Sequence, residues 1–308
     1  MLDVRRLRLL CDLSRLGTIA AVATAHTYTP SAVSQQLSAL EREAGVPLLE
    51  RTGRRVVLTA AGRLLVQHGE TVLAALGRAD AALAAARAGV SGELRIGAFP
   101  SAIRTLLAPA LVTLGERHTS LDLLLTELDP ADVPAALLDR RLDVGLTQDY
   151  DVVPADIDPG LDSVPLLDEP VHLAVPAHVA ATSPSAGSSA SELRTLRDFS
   201  DAGWILASPG TLCHTAAVRL CGSAGFTPRA RHRVDDFGTV LALVAAGQGV
   251  ALVPRLAADN LPPGVHLLPL PTRRRTRVAF RQGSAAHPAV AAFIAALPQP
   301  AGRTAGVR

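Results

Sequence analysis

Aromatic side chains are scarce in this chain of 308 residues, 3% with a single Trp. A large flat ligand that needs stacking surfaces is therefore disfavoured. Cysteines are few and odd in number (Cys11, Cys213, Cys221), which excludes a disulfide framework and fits a reducing compartment. No apolar run reaches the roughly 18 residues of a membrane span. Met1 leads into a charged stretch (Asp3, Arg5, Arg6, Arg8) rather than a signal peptide. The expectation is a soluble, cytoplasmic protein with no membrane partner. The histidines show no metal-ligand spacing, and there is no Cys-x-x-Cys, Gly-x-Ser-x-Gly or phosphate-binding glycine loop. No catalytic residue, metal or cofactor is expected.

What is present is a chain that is 48% apolar, rich in Ala and Leu and long enough for two domains. Its formal net charge is only +2, so partners must be read from where the charge lies. Residues 4–88 read as almost entirely helical, broken by one basic stretch near 50–59. After Gly89 and Gly92 the texture changes to short apolar runs alternating with amphipathic helices: Leu94–Ala98, Leu121–Leu125 and Val144–Thr147. That alternation predicts βαβ units and a mostly parallel sheet. Two extended runs, about 158–164 and 264–269, read as crossings between lobes. They would make one lobe of about 92–163 plus 265–308 and another of about 164–264, with a ligand cleft between. The Ser/Ala/Gly-rich stretch 182–191 reads as a surface loop.

In the N-terminal part, Ile19, Val22, Ala23 and His26 share one face of a short helix capped by Thr18. His26 reads as partly buried with a local partner. A second helix starts at Pro30 or Ser31 and buries Val33, Leu37 and Leu40. Its other face carries Ser31, Ser34, Gln35, Ser38 and Arg42. Joined by the turn 27–29, the two helices form a helix-turn-helix whose polar stripe suits the major groove. A Gln amide can pair with adenine, and Ser hydroxyls with base edges or phosphates. Residues 48–58 read as a hairpin turning at Thr52–Gly53, with Arg51, Arg54 and Arg55 at or beside the turn as a phosphate clamp.

The run Thr29-Pro-Ser-Ala-Val-Ser-Gln-Gln-Leu-Ser-Ala-Leu-Glu-Arg-Glu-Ala-Gly-Val-Pro-Leu-Leu-Glu-Arg51 resembles the signature of LysR-type transcriptional regulators over about 60 residues. Its elements include Ala32-Val33-Ser34, Gln36, Leu40-Glu41, Gly45, Leu48 and Arg51. The family usually has Ser-Gln where this chain has Thr29-Pro30, a change that bears on target sequence. The resemblance implies the fold class: α/β and multi-domain, an all-α winged helix-turn-helix (1–58), a linker and dimerisation helix (59–90), and a two-lobed effector domain (91–308) similar to type 2 periplasmic binding proteins. It also implies double-stranded operator DNA and a small-molecule effector as partners, with homodimers or homotetramers, and RNA polymerase as a further candidate. Thr18, Thr29, Pro30, Ser31, Ser34, Gln35, Ser38, Arg51, Arg54 and Arg55 form the expected DNA-contacting set.

In the linker, Val72, Leu76, Ala79 and Leu83 are spaced 4-3-4 as a narrow seam for helix pairing. Packing against the chain's own domains is the competing reading. In the effector domain, Phe99-Pro100-Ser101, Thr147-Gln148, Ser208–Thr211 and Asp235-Asp236 sit at strand ends or helix starts, where N–H groups and the helix dipole favour anions. The family resemblance implies that these segments from both lobes line the cleft, which makes Phe99, Ser101, Thr147, Gln148, Thr211 and Asp236 the expected effector residues and a small organic or amino acid the expected ligand. Ser101 and Thr211 serve equally well as plain caps, and Asp235 reads chiefly as one. The basic run Arg273–Arg275 with Arg277 reads as a solvated strand edge, with DNA contact as the alternative. Two other functions stay open: a solute-binding protein, and a redox-responsive regulator through Cys213, whose place near a helix start beside His214 would lower its thiol pKa. Cys221, eight residues on, is too far along that helix for a simple disulfide. An enzyme using the cleft is a third class.

Overall fold

The computed structural model describes residues 1–52, 55–86, 89–154, 158–180 and 196–298. The serine-rich stretch 182–191 lies outside them. Three helices open the chain: α1 (Val4–Leu16), α2 (Ile19–Ala25) and α3 (Pro30–Ala44). Each begins at a side chain that accepts from an otherwise orphan backbone N–H. Asp3 takes Arg5 and Arg6, Thr18 takes Ala21, and Thr29 takes Ala32. Such caps contribute about 1 kcal/mol each. Gly17 and Gly45 end α1 and α3 at φ of +74° and +70°, a left-handed conformation that glycine adopts without strain. The hairpin β1 (Leu49–Thr52) and β2 (Arg55–Leu58) follows, with Leu49 opposite Leu58. Leu10, Val22, Val33, Leu37, Leu40 and Leu48 form one buried cluster beneath it.

Next comes the long helix α4 (Ala60–Ala85), capped by Thr59. It has two apolar faces of different make. Gly62, Val66, Gly69, Ala74 and Ala81 are buried against the chain itself. A Cβ on Gly69 would lie 2.9 Å from the Cys11 sulfur, so only glycine lets α1 cross here. The other face leaves Leu64, Val72, Leu76 and Leu83 exposed, Leu83 by 67%.

The rest of the chain is built on a six-stranded sheet of order β4-β3-β5-β10-β6-β9. Its strands are β3 (Gly92–Ala98), β4 (Leu121–Glu127), β5 (Val144–Tyr150), β6 (Leu161–Pro176), β9 (Ala251–Pro254) and β10 (Val265–Arg281). β3 runs parallel to β4 and β5, but β10 is antiparallel to β5 and β6, and β9 antiparallel to β6. The mostly parallel sheet expected from the βαβ texture is thus corrected to a mixed one. The reason is non-local. The runs read as crossings open β6 and β10, which pair with each other from Val265↔Pro176 to Arg281↔Leu161 and pass through both lobes. A short helix α5 (Pro100–Ala102), a π-helical turn (Ile103–Leu107) and α6 (Ala108–Arg117) cover one face of the first lobe, and α7 (Val133–Leu138) packs against β5, β6 and β10. The second lobe adds α8 (Ala177–Ala180), the parallel pair β7 (Gly203–Leu206) and β8 (Arg229–Arg233), α9 (Leu212–Ser223) and α10 (Phe237–Ala245). The last helix, α11 (Pro288–Ala296), returns to α6. Separate buried clusters fill the lobes, one around Ile96, Leu107, Val144 and Phe293, others around Trp204 and Val244.

Candidate functional site: a reading helix and an interlobe wall

On α3 the helical period separates two sets of residues cleanly. Val33, Leu37 and Leu40 are buried, while Ser31, Ser34, Gln35 and Ser38 are all exposed. The hydroxyls of Thr18 and Thr29 are engaged as caps, and Thr29 also bonds Ser31 at 3.0 Å. Pro30 occupies the first helical turn. His26 finds its partner in Asp12, Nε2 to Oδ2 at 2.7 Å, and Arg15 bonds the same carboxylate. Glu41 braces the wing. Its Oε1 accepts from the N–H groups of Leu48 and Leu49, at 3.0 Å each, and so sets the hairpin's entry beside the reading helix. Arg51 is exposed on β1. Arg55 opens β2 opposite Thr52, and Arg54 lies outside the described residues.

The effector-domain residues gather less evenly. Arg274, on the central strand β10, is paired in register with Tyr150 on one side and Glu169 on the other. All three side chains are buried. Arg274 donates to Glu169 at 2.9 Å and to Gln148 at 3.2 Å, and its guanidinium lies 5.1 Å from the centre of the Phe99 ring. Glu169 also accepts from the backbone N–H of Leu256, in the 3-10 turn Arg255–Ala258 that follows β9. From the second lobe, the Cys213 sulfur meets Tyr150 Oη at 3.3 Å and Gln148 Nε2 at 3.7 Å. Phe99 and Gln148 thus stand on one wall. Thr147, next in the strand, points to the opposite face of the sheet with Asp149 and does not join them. Ser101 is buried at the first turn of α5 with no partner for its Oγ.

Thr211 caps α9, accepting from His214 and donating to Ser208. Asp236, not Asp235, caps α10 by accepting from Thr239. Asp235 instead binds Ser208 through its N–H and hydroxyl. The expected cap is therefore displaced by one residue. Asp236 also reaches across the cleft to Arg104 of the first lobe at 3.2 Å.

Two further expectations are corrected. The arginine run does not lie on a strand edge, because β10 sits between β5 and β6. Arg273 and Arg275 pair with Asp168 and Asp149 across the strands, and Arg274 turns inward. Nor is the Cys213 thiol acidic. Burial raises its pKa and outweighs the hydrogen bonds from Tyr150 and Gln148 that would lower it. Burial likewise pushes Cys221 up to about 12.

Two family profiles match this architecture. Residues 4–63 match the bacterial regulatory helix-turn-helix protein, lysR family, and residues 87–300 the LysR substrate binding domain. The chain belongs to the LysR family. A probable hydrogen peroxide-inducible genes activator from Streptomyces viridosporus is 31% identical over 92% of both chains. The DNA-binding transcriptional dual regulator OxyR of Escherichia coli K12 is 31% identical over 86% of this chain and 84% of its own. Among solved structures, the OxyR C206 mutant of Corynebacterium glutamicum superposes with a TM-score of 0.53 at 26% identity, covering 96% of this chain and 93% of that one. CbnR, a LysR family transcriptional regulator, does so at 0.52 and 25%, covering 96% and 99%. The protein is a LysR-type DNA-binding transcriptional regulator with a small-molecule effector domain.

Proposed function

We propose that this LysR-type regulator acts in the cytoplasm, without catalysis, as a pair of chains joined along α4. Its heads read operator DNA through Ser34 and Gln35, and Arg51, Arg54 and Arg55 hold the flanking phosphates. The observation that carries this reading is the exposed row Ser31, Ser34, Gln35 and Ser38, held in register by buried Val33, Leu37 and Leu40. Short neutral polar groups on a rigid helix suit base edges, and a paired protein matches two half-sites. The exposed seam Val72, Leu76, Ala79 and Leu83 supports pairing, since large apolar side chains in water favour a partner. No described helix is long and apolar enough to cross a membrane.

The effector site is the interlobe wall, where the orphan hydroxyl of Ser101 and the Arg274 guanidinium favour a small ligand with hydrogen-bonding oxygens, an organic or amino acid. A redox response through Cys213 is disfavoured by the burial that keeps its thiol protonated. A solute-binding role does not account for the DNA-reading head. The deciding experiment is binding to a duplex carrying the gene's own upstream region, titrated against salt. Affinity should fall steeply with salt and exceed that for random duplex. Equal affinities would remove the assignment. Leu76→Glu should give monomers or unfolded protein by sedimentation, and a stable dimer of that variant would take the seam out of the interface.

A further inference from the structure

Where α1, α4 and the first lobe meet, the structure forms a half-open cavity of about 420 Å³. It is separate from the interlobe wall, and none of Ser31, Ser34, Gln35 or Ser38 lines it. Its size is that of a small-molecule site. Its walls are held by contacts that leave no room for side chains. A Cβ on Gly77 would lie 2.9 Å from the carbonyl oxygen of Gln282, and one on Gly283 would lie 2.4 Å from that of Ala74. Across the cavity, Arg15 on α1 reaches Asp139 at the end of α7 at 3.4 Å.

The charges around it fall into two groups. Asp12 and Arg281 are engaged, the first by Arg15 and His26, the second by Asp143 and two backbone carbonyls. Others lining the cavity are not. Among the described residues, the side chains of Arg8 and Arg140 make no hydrogen bond or ion pair, and neither does that of Glu70; Asp158 accepts only from the nearby Gly160 N–H. Arg140 is also held at φ +59°, an unusual conformation for a residue with a side chain. Burial, then repulsion from Arg8, lowers its pKa, while burial, then the charge of Asp158, raises that of Glu70. Arg8 and Arg140 repel each other at one place, where Asp80 and Asp143 offset part of the charge of Arg140, and Glu70 and Asp158 repel each other at another with no opposite charge beside them among the described residues.

We propose that this cavity is a second small-molecule site whose ligand is a zwitterion of the α-amino-acid class. The carboxylate meets the guanidinium groups of Arg8 and Arg140, which can bind it through paired N–H donors. The ammonium group lies between Glu70 and Asp158. Such a ligand touches the head through Arg8, the linker helix through Glu70 and the first lobe through Arg140 and Asp158. It therefore favours the arrangement in which head and lobe are packed together, and DNA must alter its affinity by the same factor as it alters DNA affinity.

The test is calorimetric titration of the full-length protein with the common α-amino acids. The best binder is then repeated as its des-amino acid and its decarboxylated amine. The expected result is measurable binding that falls about tenfold or more in Arg140→Gln, Arg8→Gln and Glu70→Gln, with Glu116→Gln, on the exposed end of α6 and outside both sites, unchanged. Both analogues should bind more weakly than the amino acid. Circular dichroism checks that each variant is folded, and the three positions on different elements give independent readings. Absence of binding by every amino acid overturns the proposal. So does a des-amino acid that binds as tightly as its parent. Binding lost in Ser101→Ala but kept in Arg140→Gln overturns it too, and assigns the ligand to the interlobe wall instead.

Discussion

The reading face of α3 and the interlobe wall are both polar, yet they are made in opposite ways. On α3 the polar groups stand in water, which satisfies them at no structural cost. On the wall, Arg274, Glu169, Gln148 and Tyr150 are buried, and every donor lost leaves an acceptor stranded. The first surface is thus free to change without loss to the fold, while the second is committed to it. The Thr29-Pro30 departure at the head of α3 illustrates that freedom: the helix still starts on a threonine cap with proline in its first turn.

The sharpest test of that contrast is Glu169→Ala. It leaves a fully buried guanidinium without its counter-charge and should cost about 3–5 kcal/mol of stability, read by urea unfolding of the effector domain. A loss below about 1 kcal/mol would equate the wall with a surface. Gln35→Ala should do the reverse. We expect ~1–3 kcal/mol lost on the specific duplex, little on random DNA and no change in unfolding midpoint. Arg51→Ala, by contrast, should weaken both duplexes alike and lower the salt slope by about one unit.

A third test concerns pH. Burial alone would raise the Asp143 carboxyl, but hydrogen bonds from Arg95 and Arg281 outweigh it and hold the pKa below the usual value. A depressed carboxylate contributes stability that is present above its unfolded pKa of about 3.9 and lost as pH falls through the lower folded value. The wild-type melting temperature should therefore drop more steeply in that acid window than that of Asp143→Asn. Parallel curves would show that Asp143 contributes nothing. The smallest effect is expected of Ser101→Ala. Its Oγ has no partner, so removing it should leave stability within about 0.5 kcal/mol while weakening an effector bound at the wall.

The head was legible because three local signals agree there: cap residues, a 3.6-residue apolar period and a turn between them. Thr18, Pro30 and the Val33, Leu37, Leu40 series each fall where their chemistry predicts. The wall was only half legible. Phe99 and Gln148 sit at strand ends, where a sequence can be searched. Arg274 was hidden in a run of like residues. A signal for it existed, because Thr272, Arg274 and Thr276 are in phase with buried Val278 and Phe280 along a period of two. Continuing that alternation back into the arginine run turns Arg274 inward. The antiparallel half of the sheet had no local signal, since Arg274 and Glu169 are brought together across more than a hundred residues. On α4 the seam was visible as large apolar residues, whereas the opposite face is marked only by Gly62, Gly69 and Gly77, whose meaning depends on what approaches them.

The backbone contact of Gly77 with Gln282, and of Gly283 with Ala74, has a kinematic consequence. With no side chains between them to yield, the linker helix and the first lobe turn as a single body. The second lobe is joined to that body through β6 and β10, so a hinge motion between the lobes would make it the arm and the first lobe the mount. A ligand that swings the arm leaves the angle between mount and linker untouched within the same chain. In a paired regulator, the torque on a DNA-reading head must then be delivered from outside, where the arm of one subunit presses on the mount of another. For a ligand held at the interlobe wall, signal transmission would then be a property of the assembly.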